Sequence, residues 1–322
     1  MIEVVLVGLL IVLVLYAAMA PLESLMWWSR QGQEEIRHTI TEFLGPADEA
    51  SGTPQRRVYL VYLSGVGSLD GTANSRREQA VLAAVQEAVP EVVVAADVFP
   101  YSVTNRGLLT GSRATTRLWK ALRVLRRRRP MLGLHLLINT RNTFQMLVSA
   151  DPRYGPTFNV GVAKEIWRSL GRHGYQSSSG SPVVVVGYSG GGQVAIGAAW
   201  FLGLAGIDVS VISIGGMLSA DPGIDRVHRL WHFYGSKDVL ERVVDMAFPG
   251  RWPTAPLSSW NRAVREGRII REEIGPMRHS RDRDYFDAEA VAPDGRTHAE
   301  ITTAAMVGAL RQVVARMDAE VG

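Results

Sequence analysis

From residue 56 onward, short uninterrupted apolar runs alternate with segments whose apolar residues recur at helical spacing. Residues 58–63, 92–98, 183–186, 209–214, 229–234 and 268–274 predict strands. Residues 76–88, 160–171, 191–204 and 297–317 predict helices, the last opened by a capping box of Thr297 and Glu300. Strands that are apolar throughout belong to a parallel sheet covered on both faces, and alternation with helices makes that sheet doubly wound. Ligands of such sheets bind beyond the carboxyl ends of the strands. The loops to read are therefore 64–71, 99–104, 187–192, 215–223, 235–239 and 275–281.

The first thirty residues follow another pattern. Residues 4–22 carry no charge, a run long enough to span a bilayer as a helix. Trp27, Trp28 and Arg30 follow it, as an interfacial boundary would. A cleaved signal peptide is the rival, since Ala18-Met19-Ala20 has a cleavage-site form. But Glu3 replaces the usual basic start, the apolar run is too long, and Pro21 follows. The expectation is a single-pass anchor over 1–30, a stalk over 31–55, and a folded body over 56–322. Arg30 and Arg37 after the span favour a body that faces the cytoplasm.

Composition adds limits. At 322 residues and 47% hydrophobic, the chain supports a large core. It has no cysteine, which excludes disulfides, a thiol nucleophile and thiolate metal sites. Net charge is only +4, and the one basic concentration is an arginine-rich segment at 113–129, a second candidate for contact with anionic lipid. Between that segment and residue 157 lie MLGLHLLIN and NTFQMLVSADPRYGP. The region 101–157 reads as a helical cap insertion, a lid over a lipophilic pocket or a patch that leans on the bilayer.

The candidate chemistry centres on PVVVVGYSGGGQVAIG, residues 182–197. Gly187-Tyr188-Ser189-Gly190-Gly191 fits G-x-S-x-G, a strand-to-helix turn so tight that the residues two before and two after the serine must be small. The serine is forced into a strained backbone at a helix N-terminus, where free N–H groups favour developing negative charge. A nucleophilic serine needs a base, and the base an orienting acid. Asp238 and His279 both lie past later strand ends, with Asp221 and His298 as the alternative acid and base. A phosphate cradle is the rival for the first loop, where Gly65, Gly67 and Gly71 precede a helix and Asp97 follows the second strand. Asp70 inside that loop would repel a pyrophosphate, and the strict spacing fails. His228 and His232, four apart, make a weak metal pair, and His135 reads as a packed histidine.

On GYSGG, the Asp238 loop and the His279 loop, residues 56–318 resemble the α/β-hydrolase superfamily of serine esterases and lipases. The stretch HSRDRDYF is similar to one around the histidine of some lipases, with a longer insertion. The resemblance implies Ser189 as nucleophile, His279 as general base and acid, and Asp238 as its carboxylate. The oxyanion hole would use the N–H groups of Gly190 and Val66. Three features depart from the family. The usual first two antiparallel strands have no counterpart, the oxyanion loop lacks the common His-Gly pair, and a helical insertion separates Asp238 from His279. The expected function is a membrane-anchored hydrolase of a lipophilic carboxylic ester, with no cofactor, no metal and no nucleic-acid partner. An acyltransferase with the same triad and a non-catalytic tethered binding protein are the alternatives.

Overall fold

The computed structural model describes residues 56–68, 74–102, 134–280 and 282–320, with backbone alone for 134–137. The expected anchor, the stalk, Asp70, Gly71, the His135 side chain and the arginine-rich segment lie outside the described residues. Among the described residues no helix is long and apolar enough to cross a membrane.

Six parallel strands form one sheet in the order β2-β1-β3-β4-β5-β6. They are β1 (Val58–Leu63), β2 (Val92–Ala95), β3 (Val183–Tyr188), β4 (Val209–Ile214), β5 (Leu230–Gly235) and β6 (Ile269–Gly275). β1, β4 and most of β3 are buried along their whole length, the sign of a sheet covered on both faces. The chain leaves β1 towards β2 and then returns to the far side of β1 to build β3. The strand order thus reverses between β1 and β3, and the crevice beyond their carboxyl ends is the natural binding position.

Alternation along each strand divides the core in two. Val58, Leu60, Tyr62, Val184, Val186, Ile212 and Phe233 face α1 (Arg76–Ala88) and the C-terminal helix α7 (His298–Ala319). Val61, Leu63, Val183, Val185 and Val211 face the opposite layer. That layer holds α2 (Leu134–Ala150), α3 (Gly155–Arg172), α4 (Gly190–Leu204) and α6 (Ser259–Arg265), with α5 (Val239–Ala247) between β5 and α6. Both α1 and α7 begin with capping boxes, Ser75 with Glu78 and Thr297 with Glu300. Of the expected insertion at 101–157, the described part includes α2, whose Met146 and Val148 join the core under α4.

β2 stops at Ala95, three residues short of the expected strand. Asn74 donates its amide to the Ala96 carbonyl at 2.9 Å, and Val98 and Phe99 turn into the core instead. Asp97, the carboxylate of the cradle alternative, is tied to Ser169 and Arg172 of α3. No antiparallel strand joins this sheet among the described residues.

Beneath α5 lies a buried polar cluster. His232 bonds Ser213 at 3.1 Å through Nδ1 and Glu241 at 2.8 Å through Nε2. Glu241 also receives Arg271 at 2.7 Å and Arg251 at 3.3 Å. Burial keeps His232 neutral by lowering its pKa, so its Nε2–H donates to the carboxylate and Nδ1 accepts from the Ser213 hydroxyl. Burial alone would raise Glu241. The hydrogen bond from His232 and the charges of Arg251 and Arg271 outweigh it and hold the carboxyl at about 2, below its ordinary 4.5.

The folded form therefore stays charged where the unfolded chain takes up a proton. The stabilisation is complete above the ordinary value of 4.5 and is lost as pH falls towards about 2. Glu241→Gln is expected to cost about 3 kcal/mol at neutral pH, with the gap to wild type closing in acid. Denaturant unfolding at a series of pH values measures this; a gap that does not change with pH refutes it.

Candidate functional site

The turn after β3 is built from what it lacks. A Cβ on Gly187 would lie 2.5 Å from the Gly191 carbonyl carbon, and one on Gly191 would lie 2.4 Å from the Leu63 carbonyl oxygen. Both are closer than any side chain tolerates, so the small residues of the motif are a steric requirement. Between them Ser189 takes φ +53° and ψ −125° as the N-cap of α4, one of two non-glycine residues with positive φ among those described. Its own backbone is clamped, with the N–H on the Ile214 carbonyl at 3.0 Å and its carbonyl receiving Met217 at 3.1 Å.

Ser189 Oγ lies 2.7 Å from His279 Nε2, and His279 Nδ1 lies 2.9 Å from Asp238 Oδ2. With Asp238 as acceptor, Nδ1 carries the proton and Nε2 is free to accept the serine hydroxyl. The three residues come from the ends of β3, β5 and β6 and converge on one point.

Asp238 is held from three sides. As N-cap of α5, its Oδ1 accepts the Leu240 N–H at 3.0 Å. Its Oδ2 accepts both His279 and the Tyr285 hydroxyl, the latter at 2.7 Å. Tyr285 is fully buried, and its oxygen in turn accepts the Gly235 N–H at 2.9 Å. Burial and the Asp238 charge push the Tyr285 phenol far up, so it remains a donor. Its ring occupies the space beside Gly215, where a Cβ would meet it at 2.7 Å.

Tyr188 fixes the histidine itself. Its hydroxyl donates to the His279 carbonyl, and its ring lies 5.9 Å from the imidazole with 20° between planes. Phe286 meets the Tyr188 ring edge-on at 5.0 Å.

The loop after β1 runs alongside. A Cβ on Gly65 would lie 3.4 Å from the Ser189 Cβ, and one on Gly190 would lie 2.7 Å from Val66 Cγ1. The Val66 side chain therefore lies against the Gly190 backbone, next to the serine. Gly190 opens α4, where the N–H has no partner within the helix. Asn142 of α2, fully buried, donates to the carbonyls of Val66 at 2.8 Å and Ser68 at 2.9 Å. Tyr101 donates to the Ser64 carbonyl at 2.9 Å. The loop that would supply an oxyanion donor is thus fastened to two elements.

The alternative acid and base lie elsewhere. Asp221 accepts from Gly223 at 2.7 Å and Gln193 at 3.0 Å, and burial pushes it up to about 6. It caps a short turn. His298 is the first residue of α7, buried, with Nδ1 3.1 Å from the carbonyls of Arg283 and Asp284. It braces the loop that carries His279. His232, one half of the weak metal pair, has its two ring nitrogens on Ser213 and Glu241, and among the described residues no group of three or more His, Asp or Glu side chains is placed to hold a metal. Tyr188, Tyr285 and Asn142 escaped sequence reasoning. Tyr188 occupies a variable position of the motif, Tyr285 stood within HSRDRDYF without a role, and Asn142 had no local signal.

No protein-family model and no curated protein matches the chain. Among solved structures, the chain is similar to a dienelactone hydrolase from Anabaena variabilis at 16% identity, with 78% of this chain and 84% of that one covered and a TM-score of 0.38. It is also similar to a dienelactone hydrolase-like promiscuous phosphotriesterase from metagenomic libraries at 11% identity, with 83% and 90% covered and a TM-score of 0.43. The six-stranded parallel sheet and the turn at Ser189 are the features of this architecture that the sequence resemblance implied.

Gly187→Ala is expected to prevent folding or lower Tm by more than about 5 °C, because the backbone it meets cannot yield. Gly171→Ala in α3, where a Cβ meets nothing within 4 Å, is the control and should be neutral or stabilising. Equal thermal melts for the two variants would contradict the steric account.

Proposed function

We propose that the chain is a serine hydrolase that cleaves a carboxylic ester through an acyl-enzyme, with Ser189 as nucleophile. One observation carries this reading: an unbroken line of hydrogen bonds from Ser189 through His279 to Asp238, starting at a strained serine on a helix N-terminus. His279 Nε2 takes the hydroxyl proton as Oγ bonds to the ester carbonyl carbon. The Val66 and Gly190 N–H groups receive the charge that develops on the carbonyl oxygen. When the tetrahedral adduct collapses, the carbon–oxygen bond to the alcohol breaks and His279 returns the proton to the leaving alkoxide. Water then gives a proton to His279, attacks the acyl carbon, and Ser189 leaves with its proton restored.

The anchor expected over residues 1–30 supports a lipophilic acyl group as substrate and a single-pass membrane location with the body on the cytoplasmic side. A transferase would use the same first half-reaction and an alcohol or amine in place of water. Product analysis with and without an added acceptor separates the two.

Labelling by a fluorophosphonate probe is the direct test. Wild type should label and Ser189→Ala should not. His279→Ala should label more than about a thousandfold more slowly, while His298→Ala should retain most of the wild-type rate. Tyr285→Phe removes one donor from Asp238 and should slow labelling by roughly tenfold. A wild-type protein that fails to label in both detergent and lipid rules the reading out.

A further inference from the structure

Helix α5 is inside out. At helical spacing its sequence VLERVVDMA places Val239, Arg242, Val243, Met246 and Ala247 on one arc, and that arc faces solvent. Val239 is 68% exposed, Val243 46% and Met246 75%. The opposite arc carries Val244 and the carboxylate of Glu241, both buried, with Asp245 half-exposed at its margin. A surface helix ordinarily does the reverse.

The inner side supplies what the two acids need. Arg251 reaches Asp245 at 2.7 Å and Glu241 at 3.3 Å, while Arg271 reaches Glu241 at 2.7 Å and Asp245 at 3.4 Å. Both carboxylates are therefore ion-paired, Glu241 beneath the helix and Asp245 at its flank. The outer arc is left with apolar side chains and one cation, Arg242. Lys237, also exposed, lies just before the helix. Trp252 follows it, 43% exposed, with its indole N–H on the Asp245 carbonyl at 2.7 Å. The exposed acids Glu272 and Glu273 belong to the edge strand β6 and not to this arc.

We propose that this face is a membrane-contact surface, with α5 lying in the interface of an anionic bilayer. Val239, Val243 and Met246 enter the boundary of the acyl chains, Trp252 stands at headgroup level, and Lys237 and Arg242 meet lipid phosphates. An apolar arc whose only charge is a cation matches such a surface. The uncharged run at residues 4–22, on the anchor reading proposed above, would keep a bilayer within reach of the body. Because Asp238 is at once the cap of α5 and the partner of His279, the contact sets the Ser189 site beside the lipid. On the hydrolase reading proposed above, the substrate is then an ester resident in the bilayer; the contact surface itself does not depend on that reading.

A chain without cysteine allows one reporter at a time. Full-length Val243→Cys, Met246→Cys and Arg311→Cys proteins would each carry an environment-sensitive fluorophore. They would be reconstituted in vesicles of phosphatidylcholine and phosphatidylglycerol. Arg311 is exposed on α7, on the other face of the sheet. The probes at 243 and 246 should shift to the blue and be quenched by lipids spin-labelled near the headgroup, and the probe at 311 should do neither. The proposal falls if position 246 is as wet as 311 in vesicles, or if the chain does not float with them. It also falls if protection appears equally in lipid-free detergent and grows with protein concentration, which makes the face a contact between copies. Fluorophosphonate labelling of the same samples reports the serine separately, so failure of the site and failure of the contact are distinguishable. With the reporter moved to Ala247→Cys, exposed on the same arc, Val243→Glu combined with Met246→Glu should abolish the quenching while leaving that labelling rate unchanged.

Discussion

The geometry of the site depends on one steric constraint, the contact of the Gly187 and Gly191 backbones with their surroundings at the end of β3. Neither position has room for a methyl group. The chain can therefore turn from strand to helix within a few residues, and Ser189 is lifted into a backbone conformation that costs on the order of 1–3 kcal/mol. Two hydrogen bonds from the serine backbone to the β4 end hold it there. Everything else at the site is arranged around that fixed hydroxyl. The imidazole reaches it from the end of β6, and the loop after β1 lies beside it because α2 and Tyr101 fasten that loop.

How much of this was legible depended on how local each cause is. β1 and β4 match their sequence bounds because a strand buried on both faces writes itself as a continuous apolar run. β2 was overextended, since Val98 and Phe99 are as buried as strand residues but turn away where Asn74 takes the Ala96 carbonyl. The serine turn was legible because its glycines are adjacent in sequence. His279 could be preferred to His298 because Thr297 already marks the latter as a helix start, and His298 indeed opens α7 against the carbonyls of Arg283 and Asp284. Tyr285 and Asn142 act across separations of 47 and 76 residues, and nothing in their neighbourhoods announces their partners.

The same locality explains why α5 could be placed but not understood from sequence. Its spacing marks a helix, and an amphipathic reading alone would bury the valines and expose the acids. The structure inverts this because Arg251 and Arg271, from elements after the helix, claim both carboxylates, and His232 claims one of them from below. Arg251 is itself stacked 4.0 Å from the Trp260 ring, so the clamp belongs to the packed layer and not to the surface.

The Asp238 carboxylate has two duties, one oxygen closing the first turn of α5 and the other orienting His279. A nine-residue helix has little stability of its own, so its order is borrowed from the clamp beneath it. Fraying of that first turn releases the carboxylate from one duty and loosens the other. The fraction of molecules with His279 held in place then follows a local opening equilibrium that can shift well before the sheet melts. Heating would undo such an arrangement in two stages, the first invisible to any probe of the core.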